Sequence, residues 1–235
     1  MAKRRIAEDY SEPCPTSLDG HPFYGMTLDP EQKVFAEAIL DPQKLVIFAN
    51  SCAGTGKTTV AMGAANLLVR HGLYDGIIGL VSACNEGRQG FLPGDITAKS
   101  EVYFEPFYQA MIECKMNPQR DVCDASMVNQ KTGEGIVKLL TESFIRGTNF
   151  HNKVVIIDEC QNFTGPNLKK AITRISDSCK LICIGHDGQC DLENKEASGF
   201  VRYVRHFEGD NRVAICALTT NHRGWISSHA DELEF

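Results

Sequence analysis

The sequence predicts an α/β fold: a doubly wound, mostly parallel sheet with helices on both faces. Two observations carry the prediction. Five short apolar runs, rich in β-branched residues, alternate with stretches of helical period along the 235 residues. The first of these runs empties into a Gly-rich turn that opens a helix, the kind of connection on which open α/β sheets build ligand sites.

Residues 1–25 mix charge, Pro and Gly without a period and read as an irregular N-terminal arm ahead of one domain over 26–235. Asp29-Pro30-Glu31 opens a helix, with Asp29 as N-cap and Pro30 at the first helical position. Val34, Phe35, Ala38 and Ile39 form its apolar face, and Asp41-Pro42 ends it. Residues 44–49 are a short buried strand, 58–68 a helix closed by Gly72, and 76–81 a second strand. A polar loop follows over 85–94. Residues 102–116 have the period of an amphipathic helix, started or interrupted near Pro106. Residues 117–135 show little pattern, and 136–144 fit helix or strand equally. Residues 153–157 are a third strand stopping at Asp158-Glu159, and Pro166 opens a helix through Ile175. Residues 180–184 are a fourth strand ending in Gly185, 196–207 another helix, and 213–218 a fifth strand. No internal repeat and no long linker divides the chain.

Composition narrows the class. Apolar residues at 43% and charged residues at 23% exclude a disordered, collagen-like or long coiled-coil chain. A formal charge of -6 excludes a protein coated in basic surface and requires any nucleic-acid contact to be local. The ten cysteines form no CxxC pair, which disfavours structural zinc, and several sit in apolar runs as small hydrophobes. With no apolar leader after Met1 and no run near the ~20 apolar residues of a membrane span, the expectation is a cytoplasmic, reduced protein with no membrane partner.

The most informative segment is Ser51-Cys52-Ala53-Gly54-Thr55-Gly56-Lys57-Thr58, between a strand and a helix. Small residues let backbone N–H groups wrap a phosphate, and the next helix turns its positive end toward it. Lys57 can reach the β and γ phosphates, and Thr58 can place its hydroxyl on Mg²⁺, so ATP and Mg²⁺ are the expected cofactors. Ser51 stands where glycine is usual, which predicts an uncomfortable backbone angle or a slightly reshaped loop. The bland alternative is a Gly-rich turn bearing a surface lysine. The strand-loop-helix context weighs against it.

Asp158-Glu159, at the end of an apolar strand, supply the other half of such a site. Asp158 can hold Mg²⁺ through water, and Glu159 is the candidate base for an attacking water. Strand-end acids often merely meet solvent; pairing with the upstream loop favours function. A glutamate poised on water suits hydrolysis better than transfer to a small acceptor.

Four segments, Ala53-Gly54-Thr55-Gly56-Lys57-Thr58, Gly90-Phe91-Leu92-Pro93-Gly94-Asp95, Asp158-Glu159-Cys160-Gln161-Asn162 and Gly185-His186-Asp187-Gly188-Gln189-Cys190-Asp191, resemble the PhoH-like family of P-loop ATPases. That family is related to the superfamily 1 helicase core, and the resemblance spans roughly residues 28–223. It implies a RecA-like P-loop NTPase fold, with Lys57 and Thr58 on phosphate and Mg²⁺ and Asp158 and Glu159 completing the site. It further implies that Gln161 couples the phosphates to a moving segment and that Gln189 senses the γ-phosphate. Gln32 matches the position where helicase-like relatives read the adenine edge; the plainer reading is a solvent-facing helix glutamine. Arg223 matches a phosphate-contacting arginine acting within the chain or across a subunit interface, or else is an ordinary surface arginine.

The chain departs from the family twice. The usual Arg-Pro after the second strand is absent from Leu80-Val81-Ser82-Ala83-Cys84-Asn85, and Gly185-His186 replaces Gly-Asp. His186 is read as a polar loop residue. The resemblance implies RNA or single-stranded DNA as partner and a homo-oligomeric ring, for instance a hexamer, since one RecA-like core lacks the second of a monomeric helicase. Lys99, Lys115, Arg120, Lys131, Lys138 and Arg146 are candidates for a polymer path, though interspersed with acids. Tyr103, Phe104, Phe107 and Tyr108 read as core rather than base-stacking residues. A nucleotide switch with little turnover and a small-molecule kinase are the rival functions.

Overall fold

The structure is a computed structural model, and it describes residues 13–82, 96–123, 135–142, 145 and 147–231, with the side chains of 96–101 and 231 left out. Six strands form one sheet: β1 (Val46–Ser51), β2 (Ile77–Val81), β3 (Val137–Thr141), β4 (Val154–Ile157), β5 (Lys180–Gly185) and β6 (Val213–Leu218). Their order is β3-β2-β4-β5-β1-β6, and every neighbouring pair is parallel. The expected doubly wound architecture is therefore present, with the ambiguous stretch near 136 resolved as an additional strand.

Alternation along the strands explains the two layers. Ile47, Ala49, Val154, Ile156, Ile182 and Ile184 pack into one buried cluster, while Phe48, Val155, Ile157, Leu181 and Cys183 pack into the other. Both faces are covered, so the strands read as continuous apolar runs rather than alternating ones. The first cluster includes residues of helices α1 (Pro30–Leu40), α2 (Lys57–Arg70) and α3 (Ile96–Glu113). The second includes residues of α5 (Gly165–Ile172) and α6 (Phe200–Phe207). A short α4 (Pro118–Asp121) follows α3, and α7 (Trp225–Asp231) follows β6.

Helix α1 begins as expected. Asp29 accepts from Gln32 N at 2.8 Å, and the Gln32 carboxamide oxygen accepts from Asp29 N at 3.1 Å, a capping box. Its buried face differs from the expected one: Val34 is 60% exposed, whereas Gln32, Phe35, Ala36, Ile39 and Leu40 are buried. Helix α2 packs between α1 and α3, which is why residues 60–69 are all buried. Helix α3 starts earlier than expected and runs through Pro106 without a break. The carbonyl that Pro106 leaves without a helical donor is that of Val102, itself 73% exposed. The expected helix over 196–207 is two pieces, a 3₁₀ turn at Lys195–Ala197 and α6.

The described part of the arm, residues 13–25, is irregular apart from a 3₁₀ turn at Phe23–Gly25, yet it is docked. Leu18 and Phe23 enter the core, the Tyr24 hydroxyl donates to Gly63 O at 3.1 Å, and Asn66 Nδ2 donates to that hydroxyl at 3.0 Å. A side chain at Gly63 would start 2.8 Å from the Phe23 ring, so the glycine permits the close approach.

Candidate functional site

Parallel strands put all their carboxyl ends on one edge, where α/β sheets collect ligands. Because β5 lies between β1 and β4, the loop leaving β5 hangs between the Gly-rich loop after β1 and the acidic pair after β4. Three segments far apart in sequence therefore meet at one place.

The Gly-rich loop folds around two left-handed glycines, Gly54 (φ +73°) and Gly56 (φ +71°). Side chains would be strained at both. At Gly54 a Cβ would also lie 2.7 Å from Asn221 Oδ1, and at Gly56 2.9 Å from Gln32 Nε2. Ser51 does not carry the expected strain: it ends β1 in register with Leu218, keeps a negative φ, and its buried hydroxyl reaches Gly185 O at 3.4 Å. Glycine is not needed there because the strand continues through that position.

The Thr58 hydroxyl donates to Asp158 Oδ2 at 2.8 Å, and Asp158 Oδ1 accepts from Glu159 N at 2.9 Å. Asp158 is 2% exposed, and burial, then the neighbouring Glu159 carboxylate, push its pKa up to about 6 against the pull of Lys57 and Thr58. Lys57 Nζ lies 3.5 Å from Glu159 Oε1. Glu159 has left-handed backbone (φ 52°), and its Oε2 accepts from Gln161 Nε2 at 2.5 Å. Gln161 Oε1 accepts in turn from His186 N at 3.0 Å, so one buried carboxamide joins the acidic pair to the loop after β5.

These groups open onto a cavity of about 990 Å³. Its wall includes residues 53–58, Asp158, Glu159, Gln32, Gln189 and Arg223, so nearly all the sequence-predicted site residues are gathered in one place. Ser51 and Cys52 are not on that wall. Helix α3 supplies the facing side through Pro106, Gln109 and Glu113, and Met26 and Leu28 supply apolar surface.

A sequence profile described as PhoH-like protein matches residues 26–223. The chain belongs to the PhoH-like protein family. It is 33% identical over 173 residues to Protein PhoH of Escherichia coli K12, covering 73% of this chain and 47% of that protein. It is 30% identical over 174 residues to the PhoH-like protein of Bacillus subtilis 168, covering 74% of this chain and 52% of that one. The chain thus spans about half the length of the curated relatives it matches. Among solved structures, the UvsW helicase of bacteriophage T4 superposes with a TM-score of 0.52 at 13% identity, covering 83% of this chain and 61% of that one, a likeness of fold. This PhoH-like chain has the mostly parallel α/β sheet of P-loop NTPases, and none of its described helices is long and apolar enough to cross a membrane.

The remaining residues of the PhoH-like site refine the sequence reading. Gln32 is not solvent-facing: it is 7% exposed and its Nε2 donates to Thr55 O at 2.8 Å, so it braces the Gly-rich loop from the cavity wall. The strap after β6 was missed by sequence reasoning. Thr219 N and Oγ1 donate to Glu31 at 2.6 and 2.8 Å, His222 Nε2 lies 2.7 Å from Asp29 Oδ2, and His222 N donates to Gly54 O at 2.9 Å. The available signal was the polar run Thr219-Thr220-Asn221-His222 directly before Arg223. The strap lays the Arg223 side chain over Gly54 in the same chain, where a Cβ would meet Arg223 Cγ and Cδ at 3.1 Å. Asn162 clamps the loop after β5, exchanging hydrogen bonds of 2.9 Å with Asp191 N and Oδ2.

Other expectations divide. Phe104 and Phe107 are core as expected, while Tyr103 is 37% exposed. Arg120 pairs with Asp121 at 2.7 Å, which draws it away from a polymer path. Lys115 and Lys138 are exposed at separate places. The Gly90–Asp95 segment, Lys131, Arg146 and the Lys99 side chain lie outside the described residues.

Proposed function

We propose that this chain binds Mg²⁺-ATP in the 990 Å³ cavity and hydrolyses it to ADP and phosphate, in a cycle coupled to RNA or single-stranded DNA. The observation that carries the reading is the Thr58 hydroxyl set 2.8 Å from the buried Asp158 carboxylate beside Lys57. A hydroxyl and a buried carboxylate are two hard oxygen donors that suit Mg²⁺, which would be held by Thr58 and Asp158 and shared with the substrate phosphates. When bound, the metal neutralises charge on the β and γ phosphoryl oxygens. The backbone N–H groups of residues 53–58 and the N-terminus of α2 cradle the phosphates, and Lys57 leaves Glu159 for them. Arg223, acting within the chain, and Gln189 approach the γ-phosphate from the strap and from the loop after β5. Glu159 takes the proton of the attacking water. Gln32 holds the loop in shape, and Met26, Leu28 and Pro106 offer apolar surface to the base.

A second reading, a nucleotide-dependent switch with little turnover, draws on the restraint of Glu159 by Gln161 and Lys57. A polymer that frees Glu159 would convert one behaviour into the other. The deciding experiment measures phosphate release with RNA, with single-stranded DNA and with no polymer, each with Mg²⁺ and with EDTA. Mg²⁺-dependent release that rises with polymer is expected; tight ATP binding without release under every condition supports the switch, and ATP loss without equivalent phosphate release supports a kinase. We also propose that the working form is a homo-oligomeric ring in the cytoplasm; a monomeric mass with and without Mg²⁺-ATP would overturn the ring.

A further inference from the structure

We propose that a second cavity, about 330 Å³ and flanked by Lys195, Arg202 and Arg205, binds the sugar-phosphate backbone of a single-stranded nucleic acid and reports its presence to the ATP site. This rests on the polymer-coupled reading above and gives that polymer a place.

The charges come first. Arg202 and Arg205 stand three residues apart on α6, hence on one face, and Lys195 lies on the turn before it. Arg202 donates to Glu196 O at 3.2 Å. Among the described residues, the Lys195 ammonium and the Arg205 guanidinium have no hydrogen-bond or ion-pair partner. The acids on the same wall are Asp187 and Glu196, which leaves the cleft positive in a chain of net charge -6. All three cations are exposed on long side chains, not set in a closed cradle of backbone N–H groups. Such a row suits contact with successive phosphodiesters better than capture of one small anion.

The connection to the ATP site is the second observation. One loop lines both cavities: Gln189 faces the first, while Asp187, Gly188 and Cys190 face the second. Gln161 also lines the second cavity, and it is the group that holds Glu159 at 2.5 Å and the start of this loop at 3.0 Å. Cys190 Sγ donates to Gln161 O at 3.3 Å, closing the partition. A backbone seated on Arg205 and Lys195 touches the segment that positions both the base and the γ-phosphate sensor.

The test compares the wild-type chain with Lys195→Ala/Arg205→Ala, two exposed changes outside the ATP site. Lys115→Ala/Lys138→Ala is a charge-matched control on the other candidate path. Readouts are anisotropy of a fluorescein-labelled 12-mer of oligouridylate and phosphate release with and without it. The cleft variant should bind at least tenfold more weakly and lose polymer stimulation, with unchanged polymer-free turnover. Its salt dependence should flatten by roughly 1.4 in slope, at about 0.7 per single-strand phosphate contact. Equal binding by the cleft variant, or a larger loss in the control, overturns the assignment. So does displacement of the RNA by millimolar inorganic phosphate at constant ionic strength, which would make the cleft a free-phosphate site. A wild type that hydrolyses ATP but binds no oligonucleotide sinks this inference and spares hydrolysis. Cleft-dependent RNA binding without any hydrolysis does the reverse.

Discussion

Replacing Glu159 with Gln separates chemistry from architecture at this site. The carboxylate is held on two sides, 2.5 Å from Gln161 Nε2 and 3.5 Å from Lys57 Nζ. An amide of the same shape can keep its oxygen toward Gln161, but it cannot take a proton from water. Loss of a general base costs on the order of 10²–10⁴ in turnover, about 3–5 kcal/mol on the barrier. Binding should change far less. The Glu159 side chain is 45% exposed, and a pair this open to solvent is worth at most about 1 kcal/mol. Freed from Glu159, Lys57 is also more available to phosphate, so ATP affinity should hold or tighten. Phosphate release at saturating Mg²⁺-ATP and titration with a fluorescent ATP analogue measure the two quantities separately. A Glu159→Gln chain that releases phosphate at the wild-type rate would falsify the base assignment. An equal loss of affinity and turnover would instead make Glu159 part of the binding scaffold.

Two further outcomes follow from the same geometry. Thr58→Val removes a hydroxyl 2.8 Å from Asp158 while keeping the side-chain shape, so ATP affinity in Mg²⁺ should fall by roughly tenfold, about 1.5 kcal/mol, with no loss in EDTA; equal losses in both would remove Thr58 from the metal. Lys180 is 1% exposed, donates to Asp41 O at 2.6 Å, and burial lowers its pKa to about 8. Between about pH 8 and its ordinary value the unfolded chain binds the extra proton, so stability contributed by this group rises with pH across that window and is flat below it. Cys14, pushed up to about 11 by burial, works in the opposite direction only above its ordinary value of 9.0, which leaves pH 8–9 for the comparison. Urea unfolding of wild type and Lys180→Met across that interval should show the wild type gaining relative to the variant; parallel curves would refute the assignment.

What was legible in the sequence had a local cause. A strand that empties into Gly54-Thr55-Gly56-Lys57-Thr58 can be read from neighbours alone, and so can the Asp29 cap, because the responsible atoms lie within a few residues. The misses needed partners from elsewhere. Val34 has helical period with Phe35 and Ile39, yet it is 60% exposed, while polar Gln32 is buried because it braces Thr55 O, 23 residues away. Residues 136–144 gave no clear period because β3 is the last strand of the sheet, with a mixed burial pattern, laddered to β2 on one side and only bridged to Val122 on the other. Ser51 in place of the usual glycine predicts strain from the motif alone; the register with Leu218 on β6 removes it. The polar run before Arg223 hinted at the strap but not at its anchors, since the partners Glu31, Asp29 and Gly54 lie elsewhere in the chain.

Sheet order accounts for how the chemistry could be regulated. The acidic pair touches the Gly-rich loop directly through Thr58 and Lys57, but had β4 lain beside β1 no third loop would leave the sheet between the two strand ends. The insertion of β5 places a third loop in the gap, and Gln161 ties that loop to Glu159 through a single side chain that donates one way and accepts the other. A hydrogen bond from a carboxamide to a carboxylate is strong enough to hold Glu159 and weak enough to exchange, on the order of 1.5–3 kcal/mol. That is also the range of a typical coupling free energy between two sites. A force on residues 187–190 from the cationic cleft can therefore be felt at Glu159 without any change in the sheet itself.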